Sequence, residues 1–401
     1  MSLLIKNGTI FYRNKLCKLD ILINKDKIIN INKHISVKTD QTIDATNLTI
    51  IPGLIDVHVH LREPGFEYKE TIETGTKAAA AGGFTTICCM PNTKPIIDNL
   101  SRLNALKQFI RSKAMVNVLP YVAISNGQLG KELVDIKSLS KHCFAFSDDG
   151  VGIQSALLME IAMCEAKKYS KPIVAHCEDL TKTGNAMEYS EVGRDLKIAL
   201  KNKCQFHICH VSTKESIDLI YKAKQHASFI SCEITPHHLL LNKTLLKNNG
   251  AYKMNPPIAS KQDQQALIKN LQNGTIDMIA TDHAPHSKEE KSKGLLKSAN
   301  GVVGLEISFA LMYTYLVKKH IITFNRLIEL MSVNPAKIFH LNGGTIKIGG
   351  IADLSIFNLN QKWKIDAKKF KSKGHSTPFD QKIVHGVTKY TICSGKIVYG
   401  K

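Results

Sequence analysis

Disulfide architecture is missing from this chain. Its ten cysteines include no Cys-x-x-Cys pair and no regular spacing, which argues against a cross-linked secreted scaffold and fits a reduced, cytosolic protein. Cys88, Cys89, Cys143, Cys177, Cys209 and Cys232 lie in or beside apolar runs, where small buried hydrophobes are placed. No run reaches the roughly 18 apolar residues that a membrane span requires. Met1–Gly8 reads as a strand and turn, without the apolar core and small-residue cleavage site of a signal peptide, so the cytoplasm is the expected location. Acidic residues are scarce: 34 Asp and Glu stand against 54 Lys and Arg, a formal net charge of +20. Aromatics are also few, at 6%, and no basic stripe with interleaved aromatics appears, so the charge does not read as a nucleic-acid surface. The scattered lysines look like a composition bias that favours anionic substrates through long-range steering. Neither an internal repeat nor a low-complexity linker breaks the middle of the chain.

What is present is a pair of histidines, His58 and His60, in the run Gly53-Leu54-Ile55-Asp56-Val57-His58-Val59-His60-Leu61-Arg62. Residues two apart on a strand share a face, so both imidazoles can reach one metal ion. Arg62, just past the strand, can hold an anion beside it. Taken alone, such a pair is read about as well as two partly exposed core neighbours. Four more apolar runs end on ligand-type residues: Cys143–Ser147 into Asp148-Asp149, Pro172–Ala175 into His176, Cys204–Cys209 into His210, and Asp277–Thr281 into Asp282. In a barrel of alternating strands and helices these ends converge on one mouth. Spacing leaves Asp148 and Asp149 as alternatives. Cys177 and Cys209 point away from their neighbouring histidines on a strand and are not expected to ligate.

The pattern predicts an α/β chain: a (β/α)₈ TIM-like barrel over residues 51–340, plus a small β-sandwich made by residues 1–50 and 341–401 together. Both terminal segments alternate short strands and turns, and neither has enough core alone. The expected barrel strands are 54–60, 84–90, 117–123, 143–147, 172–176, 206–210, 229–234 and 277–281. One intervening helix is expected over Glu70–Ala81, stopped by Gly82-Gly83.

Across nearly its whole length the chain resembles the bacterial type I dihydroorotases of the amidohydrolase superfamily. The resemblance rests on Asp56–Gly65 and Ala280–His286, with support from Met90–Thr93, Ser147–Gly152, Ala175–Asp179, His210–Ser216, Thr235–Leu239 and Lys253–Pro257. It implies one or two zinc ions. His58 and His60 match the ligands of the first ion, and His176 and His210 those of the second. Asp149 matches the bridging carboxylate, and Asp282 the catalytic aspartate that also touches the first ion. The implied substrate contacts are Arg62, Asn92, Asn255, His286, Asn300 and Gly301. The fourth strand end offers aspartates and no lysine, unlike relatives that bridge their metals with a carboxylated lysine. For Asn92 and Asn255, each beside a proline, turn-making is an equal reading. His207, His237, His238 and the remaining histidines (His34, His142, His226, His320, His340, His375, His385) read as structural or surface residues.

The activity implied is reversible, zinc-dependent closure of N-carbamoyl-L-aspartate to (S)-dihydroorotate in pyrimidine biosynthesis, with Asp282 moving the proton. Alternatives are an allantoinase or other cyclic-amide hydrolase, and a non-catalytic scaffold for aspartate transcarbamoylase. The partners implied are a small-molecule substrate, a second copy in a homodimer and an aspartate transcarbamoylase complex, with no nucleic acid or membrane. Two departures stand out. The family's longer segment after Asp179 is cut to a short link before Gly193-Arg194-Asp195, and its Pro-Phe-Gly is replaced by Ala299-Asn300-Gly301. The second removes an aromatic from the substrate side, leaving the backbone there as donor.

Overall fold

The computed structural model describes residues 2–400, and they form a mixed α/β fold. Seven short strands lie in two parallel arcs. Leu54–Val59, Phe84–Cys89 and Asn117–Pro120 make one, and Ile173–Ala175, Phe206–Ile208, Ile230–Ile234 and Met278–Ile279 make the other. Single parallel bridges join them at both ends, through Val122, Phe146 and Ile173 on one side and Val59 and His283 on the other. Every strand is buried on both faces except at Asn117–Pro120, which explains their near-continuous apolar sequences. Ile55, Val57, Cys88, Tyr121, Ala145, Val174, Cys209 and Met278, from these strands or the residues beside them, meet in one buried cluster.

The expected strand at 143–147 is not regular. Only Phe146 bridges its neighbours, while Phe144 N–H donates to Pro120 O and Phe146 N–H to Pro172 O. The flanking Pro120 and Pro172 have no N–H to return, so no continuous ladder forms there. The helix expected over Glu70–Ala81 runs from Ile72 to Gly82. Thr71 caps it, its side chain accepting from Thr74 N–H, and Gly83 ends it at φ 91°. A residue with a Cβ would be strained at that left-handed position.

The two ends of the chain meet in one eight-stranded sheet. Its order is Lys396–Tyr399, Ile383–Cys393, Leu354–Lys364, Thr49–Pro52, Ser2–Tyr12, Lys15–Asn24 and Lys27–Asn32, with Gln41–Asp44 also pairing on Ser2–Tyr12. Leu3, Ile5, Ile10, Ile21, Ile23, Ile50, Leu354, Ile356 and Ile392 pack in a separate core. Thr49–Pro52 leads directly into Leu54–Val59, so this sheet fixes the entry of the strand that carries His58.

Candidate metal centre

Every histidine and aspartate expected at the centre is brought together. His58, His60 and Asp149 form one group whose ligand atoms lie within 4.8 Å of one another, and Asp149, His176 and His210 form a second. Asp149 is common to both. Its Oδ1 lies 3.3 Å from His58 Nε2, 3.9 Å from His176 Nδ1 and 3.8 Å from His210 Nε2, and its Oδ2 lies 3.5 Å from His60 Nε2. Asp282 Oδ1 sits 3.0 Å from His60 Nε2 and 3.5 Å from His58 Nε2. Asp148 is placed differently. Its carboxylate accepts from Ile124 N–H, Ser125 N–H and the Ser125 hydroxyl, a full set of partners in the wall.

The outer nitrogens of three of the histidines are already engaged. His58 Nδ1 bonds Glu233 Oε1 at 2.6 Å, His60 Nδ1 bonds Asn92 Oδ1 at 2.9 Å, and His176 Nε2 faces Glu178 Oε2 at 3.1 Å. A proton held on the outer nitrogen leaves the inner lone pair for a metal. His58 Nε2 and Asp149 Oδ1 are buried without a hydrogen-bond partner among the described residues. Imidazole nitrogens and carboxylate oxygens in this arrangement fit a divalent transition-metal ion.

The electrostatics agree. Burial opposes a charge on His58, but Asp149 and Glu233 outweigh it and hold its pKa well above the usual imidazole range. Burial would likewise raise Asp149 and Asp282, yet the surrounding imidazoles hold both below the ordinary carboxylate range. The same balance puts Glu233 at about 2. These acids create a field that favours positive charge at the centre. Burial pushes Asp148 up to about 6, only partly countered by Ser125. The backbone is also unusual here: Arg62, His210 and Asp282 have φ of 64°, 30° and 45°, sparsely populated conformations for residues with a Cβ, and such strain concentrates at functional sites.

A cavity of about 210 Å³ opens on the centre. His60, Asp149, His176, His210 and Asp282 line it together with Arg62, Asn92, Asn255, His286, Asn300 and Gly301, while His58 is fully buried beneath. Arg62 Nε donates to Pro285 O at 3.2 Å, and its Nη2 lies 3.3 Å from His286 Nε2. Burial, reinforced by Arg62 and Lys69, pushes His286 down to about 4. Asn92 and Asn255 also brace the metal side. Asn92 Nδ2 reaches Asp149 Oδ2 at 3.4 Å, and Asn255 Nδ2 donates to Glu178 Oε2 at 3.0 Å. The Gly301 N–H is committed to Lys253 O at 3.0 Å, so of the two backbone groups expected to face a substrate only that of Asn300 remains.

Three participants escape the sequence patterns. Glu233 orients both His58 and His207, whose Nε2 lies 3.1 Å away; a lone acid inside the apolar run Ile230–Ile234 was its signal. Glu178 holds His176. His283, buried next to Asp282, faces Glu70 at 3.3 Å and accepts from Gly304 N–H, a structural use. His238 is likewise structural, bonded to Thr235 and Pro256 O.

A family model described as Dihydro-orotase-like matches residues 48–202. A curated relative from Macrococcus caseolyticus named Dihydroorotase is 43% identical, covering 100% of this chain and 99% of its own length. One of the same name from Staphylococcus aureus is 44% identical, covering 99% of each. The first alignment spans 421 positions against a chain of 401 residues, so at least 20 positions of the relative have no counterpart here. Among solved structures, the L-hydantoinase (dihydropyrimidinase) of Arthrobacter aurescens superposes with a TM-score of 0.92 at 27% identity, covering 100% of this chain and 96% of that one. The dihydropyrimidinase of Brevibacillus agri shares the fold at a TM-score of 0.89 and 23% identity, covering 100% and 95%. With identity of this order sustained from end to end, the chain belongs to the dihydroorotase family.

Proposed function

We propose that the chain is a zinc-dependent dihydroorotase, interconverting N-carbamoyl-L-aspartate and (S)-dihydroorotate with loss or gain of water in cytoplasmic pyrimidine synthesis. The observation that carries this reading is the shared carboxylate of Asp149 between two histidine pairs, with Asp282 beside one pair, at the floor of a cavity that also holds Arg62. In this reading His58 and His60 would hold one zinc ion and His176 and His210 another, with Asp149 the residue common to both groups. The metal, when bound, supplies a Lewis acid that polarises an amide carbonyl and acidifies water to a pKa near about 7.

The chain's own residues account for the rest. Asp282, kept ionised by its imidazole neighbours, is the base that takes a proton from the attacking water during ring opening and returns it to the departing ring nitrogen. In ring closure the same carboxylate carries the proton the other way. Arg62 binds the substrate carboxylate as a cationic fork. His286 lines the substrate position beside Arg62 while holding the Asn300 carbonyl, which leaves the Asn300 N–H as the donor there. Asn255 contacts the ring edge while holding Glu178 against His176.

The supporting architecture is read as a (β/α)₈ barrel over residues 51–340, the two bridged arcs being its wall, with residues 1–50 and 341–401 as a composite β-sandwich unit. The reading extends to a homodimer and to a complex with aspartate transcarbamoylase, on the family resemblance alone. The structural likeness to hydantoinases favours a second reading, hydrolysis of another cyclic amide such as hydantoin or allantoin. A competition assay of the purified zinc-loaded chain decides: preferred turnover of dihydroorotate is expected, and turnover of hydantoin or allantoin with none of dihydroorotate would replace the first reading with the second.

A further inference from the structure

Lys291 is a cation in an unusual place. It ends the short helix Lys288–Lys291, which Ser287 and Glu290 cap reciprocally, yet its side chain turns inward and is buried at 7% exposure. Among the described residues no carboxylate lies within ion-pair distance of its ammonium, and the neighbouring Glu290 pairs with Lys69 and His286 instead. The ammonium instead donates to three backbone carbonyls: Gly301 O at 2.6 Å, Ala299 O at 2.7 Å and Lys253 O at 3.0 Å. An ammonium has three donors, and all three are used. Burial, with Lys253's charge adding to it, lowers its pKa to about 8.

Those carbonyls belong to two loops whose next residues line the cavity. Lys253 precedes Met254-Asn255, and Ala299 and Gly301 flank Asn300. The loops are stitched again where Gly301 N–H meets Lys253 O. The carbonyl of Asn300 bonds His286 Nε2 at 2.7 Å, so the path of this loop also sets the imidazole beside Arg62. Space is tight: a Cβ on Gly250 would fall 2.2 Å from Lys291 O, and one on Gly301 would fall 2.5 Å from Ala284 O. Ala299-Asn300-Gly301 carries neither a ring-locked proline nor a large side chain to anchor itself, so hydrogen bonds hold it: Ala299 N–H donates to Glu290 O, Gly301 N–H to Lys253 O, Asn300 O pairs with His286, and the ammonium alone ties two of its carbonyls at once to Lys253 O.

We propose that Lys291 is a positioning residue for substrate binding, an internal ammonium that pins the Lys253–Asn255 and Ala299–Gly301 loops against each other and thereby sets Asn255, Asn300 and His286 around the substrate. This rests on the dihydroorotase reading of the cavity. Lys291 touches no metal ligand and reaches the metal side only through the Asn255–Glu178 bond, while Glu178 stays bonded to His176 directly, so its loss falls on binding more than on turnover.

The test compares Lys291→Met, which keeps the length and removes every donor, with Lys291→Gln, which keeps a donor without the charge. Zinc content, KM and kcat for dihydroorotate, and hydrogen exchange at the Gly301 amide are measured in each. Lys291→Met is expected to raise KM about tenfold with kcat within about twofold, unchanged zinc and faster exchange at Gly301; Lys291→Gln is expected to fall between. If the Met variant does not fold, the Gln variant carries the test by the same split. An unchanged KM in a folded variant, or a fall in kcat together with lost zinc, would overturn the proposal. The unchanged protein is assayed first: its failure on dihydroorotate would refute the functional reading, whereas faster exchange without a KM change would refute only the positioning role.

Discussion

Two sets of side chains meet in the cavity, and they are held by different means. His58, His60, Asp149, His176, His210 and Asp282 stand at or just past strand ends, and Glu233, Asn92 and Glu178 fix the outer nitrogens of three of the imidazoles. Arg62, Asn255, His286 and Asn300 stand on loops, joined by backbone contacts and by the ammonium of Lys291. The first set is a largely buried cluster of acids and imidazoles. The second is a rim of loops whose geometry depends on hydrogen bonds to carbonyls. The contrast suits the chemistry, because a metal needs fixed donors whereas a substrate must enter and leave.

If that division holds, damage to the first set abolishes chemistry or metal, and damage to the second weakens binding. The largest effect is expected for Asp282→Asn, which should retain metal yet lose turnover by about a thousandfold or more, as removal of a proton-transfer group does; steady-state rates beside metal analysis check it, and near-normal turnover would contradict the role. Glu233→Gln comes next. It weakens the brace on His58, so zinc affinity, followed by chelator competition, should drop about 10–100-fold. Arg62→Ala is expected to raise KM for dihydroorotate about tenfold or more through loss of a charge-assisted clamp, with zinc unchanged; an unaltered KM would remove Arg62 from substrate binding. The smallest catalytic effect belongs to Asp148→Asn. The amide keeps one oxygen for the Ile124 and Ser125 N–H groups and loses the acceptor that takes the Ser125 hydroxyl, which should lower stability by about 1 kcal/mol in thermal or denaturant unfolding, with metal content and KM preserved.

The same contrast explains what the sequence made readable. Ligands at the ends of apolar strands announce themselves, because an imidazole or carboxylate following Ile-Val-Ala or Met-Ile-Ala stands out against the run. The helix Ile72–Gly82 was marked by its alanines and paired glycines. The bridging role of Asp149 needed either the family pattern or coordinates, since Asp148 is its neighbour and only three-dimensional packing sends one to Ser125 and the other to the histidines. Glu233 was hidden in an apolar strand whose inward face is not visible until the arcs are placed. Lys291 sits in Lys-Glu-Glu-Lys, which reads as a solvated helix surface, and only the tertiary path of residues 299–301 turns it inward. The irregular stretch at 143–147 was misjudged because its apolar pattern is sound while the prolines that interrupt its ladder, Pro120 and Pro172, lie outside it in sequence.

The central claim is that one carboxylate serves both metal positions, and counting zinc in purified Asp149→Ala, beside Asp148→Asn and the unchanged chain, tests it most directly. The expected result is loss of zinc from both positions in Asp149→Ala with full content in Asp148→Asn; full content in Asp149→Ala would contradict the shared site.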